Sequence, residues 1–245
     1  MLTVITGGTR GIGAATAHRL AADGHDLVLG YASDDDAAES TARAVREHGH
    51  DVNLVRADLT TDAGVDLLFG RAAEVGTVTG LVNNAGATLS IGPLAEASTD
   101  VVRRTVDLNL TAAILCARAA VRLMSTDRGG SGGVVVNVSS GAATLGAPHE
   151  YVQYAAAKAG IDALTTGLAK EVARDDVRVV GVAPGMVRTR IHEDAGDPGR
   201  LERLADSVPV GRPGEASEIA EAIAWLISDS ASYVTGTTLR VAGGR

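Results

Sequence analysis

Aromatic residues make up only 2% of this 245-residue chain, with one Trp and one Phe. A core must therefore be aliphatic, and the 45% hydrophobic content falls in the ordinary globular range. Cysteine is nearly absent. Cys116 stands alone, so no internal disulfide can form and a cytoplasmic, reducing setting is expected. It reads as a small buried hydrophobe rather than a nucleophile. Bases are outnumbered, 22 against 30 acids, giving a formal net charge of -8. Nucleic acid would need a basic face, so it is not an expected partner. No apolar run approaches the ~18 residues that cross a bilayer, so no membrane partner is expected. No charged segment followed by an apolar one suggests a secretory leader, and no metal site is expected.

Glycine is plentiful, with 30 residues scattered without a period. The hydrophobic pattern cycles between strand and helix. "LTVIT" (2–6) is a β-branched run. "GIGAATAHRLAADG" follows as a helix with Ile12, Ala15 and Leu20 towards one face and Gly24 as its stop. "DLVLGY" (26–31) precedes a helix with Ser33 as cap, acids in its first turn and Gly49 at its end. Further strands are predicted at 52–57, 80–85, 133–140, 177–183 and 237–242. Further helices are predicted at 62–75, 98–124, 151–173 and 215–228. This alternation implies an α/β fold with a mostly parallel sheet of about seven strands, covered by helices on both faces. No linker or repeat interrupts it, so a single domain over 1–245 is expected. The segment 188–215 is long and polar, with a weak helical pattern near 199–206, and is expected to be the substrate-binding loop.

Two constellations carry chemistry. In "TGGTRGIG", Gly7, Gly11 and Gly13 sit directly between the first strand and the first helix. Gly7 permits a tight turn, Gly11 lets backbone approach a pyrophosphate, and Gly13 lets helix and strand pack closely. The fold expectation is thus a Rossmann-type, doubly wound dinucleotide-binding sheet. A methyltransferase would also explain these glycines, but not the Ser140, Tyr154 and Lys158 set. In "YAAAK", Tyr154 and Lys158 lie four apart on one helix face. An ammonium beside a phenol favours the phenolate and draws its pKa down towards the range useful for proton transfer. The pair follows "NVSS", at the carboxyl edge of the sheet where such folds bind ligands.

These motifs, with "NNAG" (83–86), "APGMVRT" (183–189) and "YVTGTTLRVAGG" (233–244), resemble the short-chain dehydrogenase/reductase family over essentially the whole chain. The general style is similar to 3-oxoacyl-carrier-protein reductases and glucose 1-dehydrogenase-like members. The resemblance implies an NAD(P)-dependent oxidoreductase that moves a hydride between nicotinamide and a carbonyl or secondary alcohol. Tyr154 would be the general acid/base, and Lys158 would hold the ribose and tune Tyr154. Ser140 would bind the substrate oxygen, with Ser139 a weaker rival, and Asn109 would hold the water of a proton relay. The cofactor would lie along Gly7, Thr9, Arg10, Gly11, Ile12 and Gly13 and then Tyr31, Ala32 and Ser33. It would continue past Asp58, Leu59, Asn84, Ala85 and Gly86 to Tyr154, Lys158, Pro184, Gly185, Val187 and Thr189. The opposing reading is a nucleotide-binding regulator that kept the fold and lost the chemistry.

One departure stands out. Ser140 and Tyr154 are fourteen apart, one more than is common in the family, so the loop between them is expected to bulge. Tyr151 has no Lys four residues on and reads as a decoy. Ala142, Ala143, His149, Met186, Ile191 and His192 are candidate pocket residues, with both histidines expected in solvent. Arg128 and Arg174 are the candidate docking bases for a carrier protein, but a free small molecule is favoured because acids flank them. NADP(H) is expected over NAD(H), with NAD(H) still usable. Tyr31 stands where an acid would select NAD, and Arg10 and Ser33 could meet a 2′-phosphate. Against this stand Asp34, Asp35 and Asp36. A homotetramer is expected, from the family and from the small residues Ala112, Ala113, Ala117, Ala119 and Ala120.

Overall fold

The computed structural model describes residues 1–245. Seven strands form one sheet: β1 (Leu2–Thr6), β2 (Asp26–Tyr31), β3 (Val52–Arg56), β4 (Val78–Asn83), β5 (Gly133–Val138), β6 (Val177–Pro184) and β7 (Thr238–Val241). Their order is β3-β2-β1-β4-β5-β6-β7, and every neighbouring pair is parallel. The order reverses between β1 and β4, so a crevice opens beyond their carboxyl ends.

The helices are α1 (Gly11–Ala22), α2 (Asp35–Arg46), α3 (Asp62–Val75), α4 (Thr99–Val106), α5 (Ala112–Met124), α6 (Ala142–Leu145), α7 (Val152–Val172), α8 (Arg200–Leu204) and α9 (Ala216–Ile227). Strand side chains alternate between two cores, as a period of two requires. Ile5, Leu29, Val82, Val136 and Val182 pack with Leu20 of α1, Val45 of α2 and Ile223 of α9. Val4, Val28, Leu81, Val135 and Val179 pack with Leu68 of α3, Cys116 and Met124 of α5, and Val172 of α7. Both cores are almost wholly aliphatic, as the scarcity of aromatics demands.

Local chemistry sets the helix starts. Thr61 caps α3 by accepting from Gly64 N, and Glu215 and Glu218 form a capping box on α9. The cap of α2 is Asp34, which accepts from Ala37 N, and not the expected Ser33. A carboxylate there also meets the positive end of the helix dipole, which a hydroxyl cannot match. The predicted helix over 98–124 is continuous but contains a π-helical turn at Asp107–Thr111. Ala112, Ala113, Ala117 and Ala120 are buried within the subunit itself. Their small size serves α5 packing on its own sheet, which removes them as an argument for assembly.

Candidate active site

The carboxyl ends of the strands open into a cleft of about 1210 Å³. Gly7 and Gly11 enter it with φ of +60° and +51°, conformations that L side chains rarely adopt. A Cβ on Gly13 would lie 2.1 Å from Gly7 O, so Gly13 is packed behind the turn and does not face the cleft. The Asn84 amide donates to Thr6 O and Gly7 O, both at 3.0 Å, and fixes the turn against β4. The first turn of α1 has neither a capping side chain nor an acid. Its free N–H groups and positive dipole end therefore suit an anionic pyrophosphate. This uncapped helix over a bare glycine turn fits a dinucleotide.

The expected cofactor residues Tyr31 to Ser33, Asp58 and Leu59, Asn84 to Gly86, and Pro184, Gly185, Val187 and Thr189 also line this cleft, and Met186 and Arg188 line it beside them. Of the three acids after β2, only Asp34 reaches the cleft. It lies 3.6 Å from Arg10. Asp35 is occupied by Tyr31 Oη and Arg56.

At the far end the Ser-Tyr-Lys set converges. Tyr154 is buried, and it shares the cleft wall with Ser140. The Ser140 hydroxyl accepts from Ala142 N at 3.1 Å, at the start of α6, an element without sequence warning. The Ser139 hydroxyl is buried and committed, donating to Lys158 O. Lys158 Nζ donates to Val138 O at 2.8 Å and lies over the Tyr154 ring, 5.7 Å from its centre. Burial pushes the Tyr154 phenol up to about 12, with the Ser140 side chain opposing. Burial also pushes Lys158 down to about 8. In this geometry burial outweighs the other influences on the phenol. The ammonium sits on the ring face instead of beside the hydroxyl, and desolvation dominates. At neutral pH Tyr154 therefore holds its proton.

Asn109 is fully buried in the π-helical turn and does not line the cleft. Its side chain accepts from Ala87 N and donates to Ala87 O and Thr105 O. It still borders Lys158, because a Cβ on Gly86 would lie 2.6 Å from Asn109 Oδ1 and 3.3 Å from Lys158 Nζ.

A family profile described as enoyl-(acyl carrier protein) reductase matches residues 7–245. The uncharacterized oxidoreductase YgfF of Escherichia coli strain K12 is 41% identical, over 100% of this chain and 99% of that protein. The 3beta-hydroxysteroid dehydrogenase 1 of Eggerthella lenta is 40% identical, over 98% and 92%. The cis-4-hydroxycyclohexanecarboxylate dehydrogenase of Sinomonas cyclohexanicum is 40% identical, over 99% and 95%. A short-chain dehydrogenase from Burkholderia cenocepacia J2315, solved in complex with NADP, superimposes with a TM-score of 0.90 at 30% identity, over 99% and 96%. The chain belongs to the short-chain dehydrogenase/reductase family. It is an oxidoreductase of the CH–OH/C=O type.

The loop before Tyr154 does bulge: Gly146, Ala147 and His149 all have positive φ, at 74°, 46° and 64°. Two are non-glycine residues, and such strain persists only where surroundings enforce it. The bulge brings Glu150 and Tyr151 into the cleft wall. Tyr151, the expected decoy for the catalytic tyrosine, packs in the same wall, its ring meeting Tyr154 edge-on at 5.5 Å. Arg200, buried in α8, donates to Glu150 Oε2 at 2.6 Å and to the Tyr151 hydroxyl at 3.1 Å. Segment 188–215 is thereby fastened over the cleft, helped by a bond from the Thr88 hydroxyl to Ile191 O.

Among the expected pocket residues, Ala142, Met186, Ile191 and His192 line the cleft, whereas Ala143 and His149 do not. His149 is exposed as expected. His192 is half-buried instead, because the fastened segment folds it inward, and burial with the Arg200 charge pushes its pKa down to about 4. Arg128 follows α5 and Arg174 follows α7, both beside the amino ends of the strands and opposite the cleft. Neither arginine lines the cleft. No sequence signal marked Glu150 and Arg200, because a buried Arg looks like any surface Arg until its partner is known.

Proposed function

We propose that this protein is an NADP(H)-preferring ketoreductase acting on free, small alicyclic ketones and the matching secondary alcohols. The observation that carries the reading is the convergence of Ser140, Tyr154 and Lys158 at the end of a glycine-turn cleft. The dinucleotide would be held by the first turn of α1, by Asn84 to Gly86 and by Lys158, and it supplies or accepts the hydride. Ser140 and Tyr154 then hydrogen-bond the carbonyl oxygen and stabilise its developing negative charge. Tyr154 gives that oxygen its proton, so ketone, hydride and proton yield the alcohol. Lys158 stands by to restore the proton, with Asn109 buried beside it.

The NADP preference is supported by Arg10, half exposed at the adenosine end. Its pair with Asp34 is an exposed one, worth about 0–1 kcal/mol, and a doubly charged phosphate can displace it. The alicyclic assignment is supported by two relatives, one named for a hydroxysteroid and one for a hydroxycyclohexanecarboxylate. A cytoplasmic homotetramer is part of the same reading. Trp225, Tyr233 and Leu239 are exposed on α9, on the turn before β7 and on β7, and an apolar surface of this kind asks for cover. The test is steady-state turnover of cyclohexanone derivatives with NADPH and NADH. Higher kcat/KM with NADPH is expected. No turnover with either cofactor would refute the reading.

A further inference from the structure

Two buried polar atoms on the segment over the cleft have no hydrogen-bond partner: Arg200 Nε and His192 Nδ1. Such atoms are rare in folded proteins, because an unmet buried donor costs about 1–3 kcal/mol. Both side chains line the cleft beside Tyr151. Arg200 uses only Nη2 for its two bonds, to Glu150 and Tyr151, so the Nε edge of its guanidinium is uncommitted. His192 lies within the field of Arg200 and is neutral at physiological pH, so either nitrogen can donate or accept.

Charge at this end of the cleft is also unbalanced. Each nearby acid already has an arginine: Glu150 has Arg200, Asp194 has Arg190, and Asp197 has Arg203. Arg245 is left over. It lines the cleft, its field reaches the Tyr151 phenol, and its only bonds are to Met186 Sδ and Ser207 Oγ. In a chain of net charge -8, a cation without an acidic partner at a cleft wall is notable.

We propose that Arg200, Arg245 and His192 form an anion subsite that takes a carboxylate carried by the substrate, remote from the carbon being reduced. This rests on the ketoreductase reading and names the substrate class within it: alicyclic oxo acids and their hydroxy acids. The spacing suits a single ring. The Tyr154 ring is 5.5 Å from the Tyr151 ring, and the Arg200 guanidinium stacks 5.3 Å from that second ring. A carboxylate accepts from Arg200 Nε and from His192 Nδ1 in its protonated tautomer, so both orphan atoms are met at once. Glu150 holds Nη2 and fixes the guanidinium plane, while Arg245 supplies the positive charge that Glu150 cancels on Arg200.

The test compares 4-oxocyclohexanecarboxylate with its methyl ester, which matches it in shape and lacks the charge. Wild type is expected to favour the acid at least tenfold in kcat/KM. Arg200→Met and Arg245→Met are each expected to cut that ratio at least fivefold. A wild-type ratio near one would overturn the proposal. So would an Arg200→Met variant that slows both substrates alike, since Arg200 would then only fasten the segment. If wild type reduces neither compound, the ketoreductase reading is at fault, and binding decides the subsite separately. Cyclohexanecarboxylate should then raise the melting temperature of the wild type more than cyclohexanecarboxamide does, with the difference lost in Arg200→Met. Equal protection by the two compounds would overturn the subsite.

Discussion

Lys158→Met should stabilise the protein at neutral pH relative to what simple loss of a residue contact implies, and the gain should disappear in alkali. Burial lowers the Lys158 pKa from 10.5 to about 8. A drop of that size corresponds to about 3 kcal/mol, borne by the folded state whenever both folded and unfolded chains hold the proton. Below pH 8 the folded protein carries this full cost. Between pH 8 and 10.5 the unfolded chain keeps a proton the folded chain has released, so wild-type stability rises with pH. The Met variant has no such dependence. It does strand Val138 O, which accepts from Nζ at 2.8 Å, and that costs about 1–3 kcal/mol at every pH. The net difference at pH 7 is therefore small and positive, or near zero. Its change with pH is the clean quantity. The variant's advantage over wild type should fall by about 3 kcal/mol from pH 7.5 to 10.5, roughly 6–12 °C in Tm for a chain of this size. Tyr154, whose phenol is pushed up to about 12, is present in both proteins and cancels. Thermal melts of both proteins without cofactor, at half-unit pH steps, read this directly. A difference in Tm that stays constant across that range would refute the buried-ammonium argument.

Tyr154→Phe should lower kcat by about 10²–10⁴ with cofactor affinity nearly intact, since only the proton donor is removed; fluorescence titration with NADPH beside turnover checks both halves. Arg10→Ala should shift the NADP-to-NAD ratio of kcat/KM about tenfold towards NAD, the low end for a charged hydrogen bond because the site is half exposed. An unchanged ratio would remove Arg10 from the explanation. Arg178→Met should cost about 2–4 kcal/mol in urea unfolding, because the Arg178 guanidinium donates to the carbonyls of Leu226, Val234, Ile227 and Ser228 around the end of α9. Light scattering should give a homotetramer, and Trp225→Glu should reduce its size; a monomeric wild type at micromolar concentration would rule out assembly.

Sequence alone determined the sheet and its helices, because these follow from short-range physics. Runs such as "VVVNV" are apolar on both faces and have only one home, a strand covered on both sides. The glycine turn was equally legible, since the φ of +60° at Gly7 and the 2.1 Å approach at Gly13 are backbone demands that a side chain would violate. The spacing of Ser140 and Tyr154 even announced the bulge. What only the tertiary structure decided are the properties that depend on distant partners. Asp34 displaced Ser33 as a cap while also facing Arg10 across the cleft. Ala112 and Ala120 of α5 turned inward to the core under their own sheet. Lys158 came to rest over the Tyr154 ring, where burial dominates the phenol's pKa, a balance that four-residue spacing does not record. Arg200 met Glu150 fifty residues away and drew His192 and Tyr151 into one wall. Burial and pairing are set by elements that approach one another only when the chain has folded, so no local pattern records them.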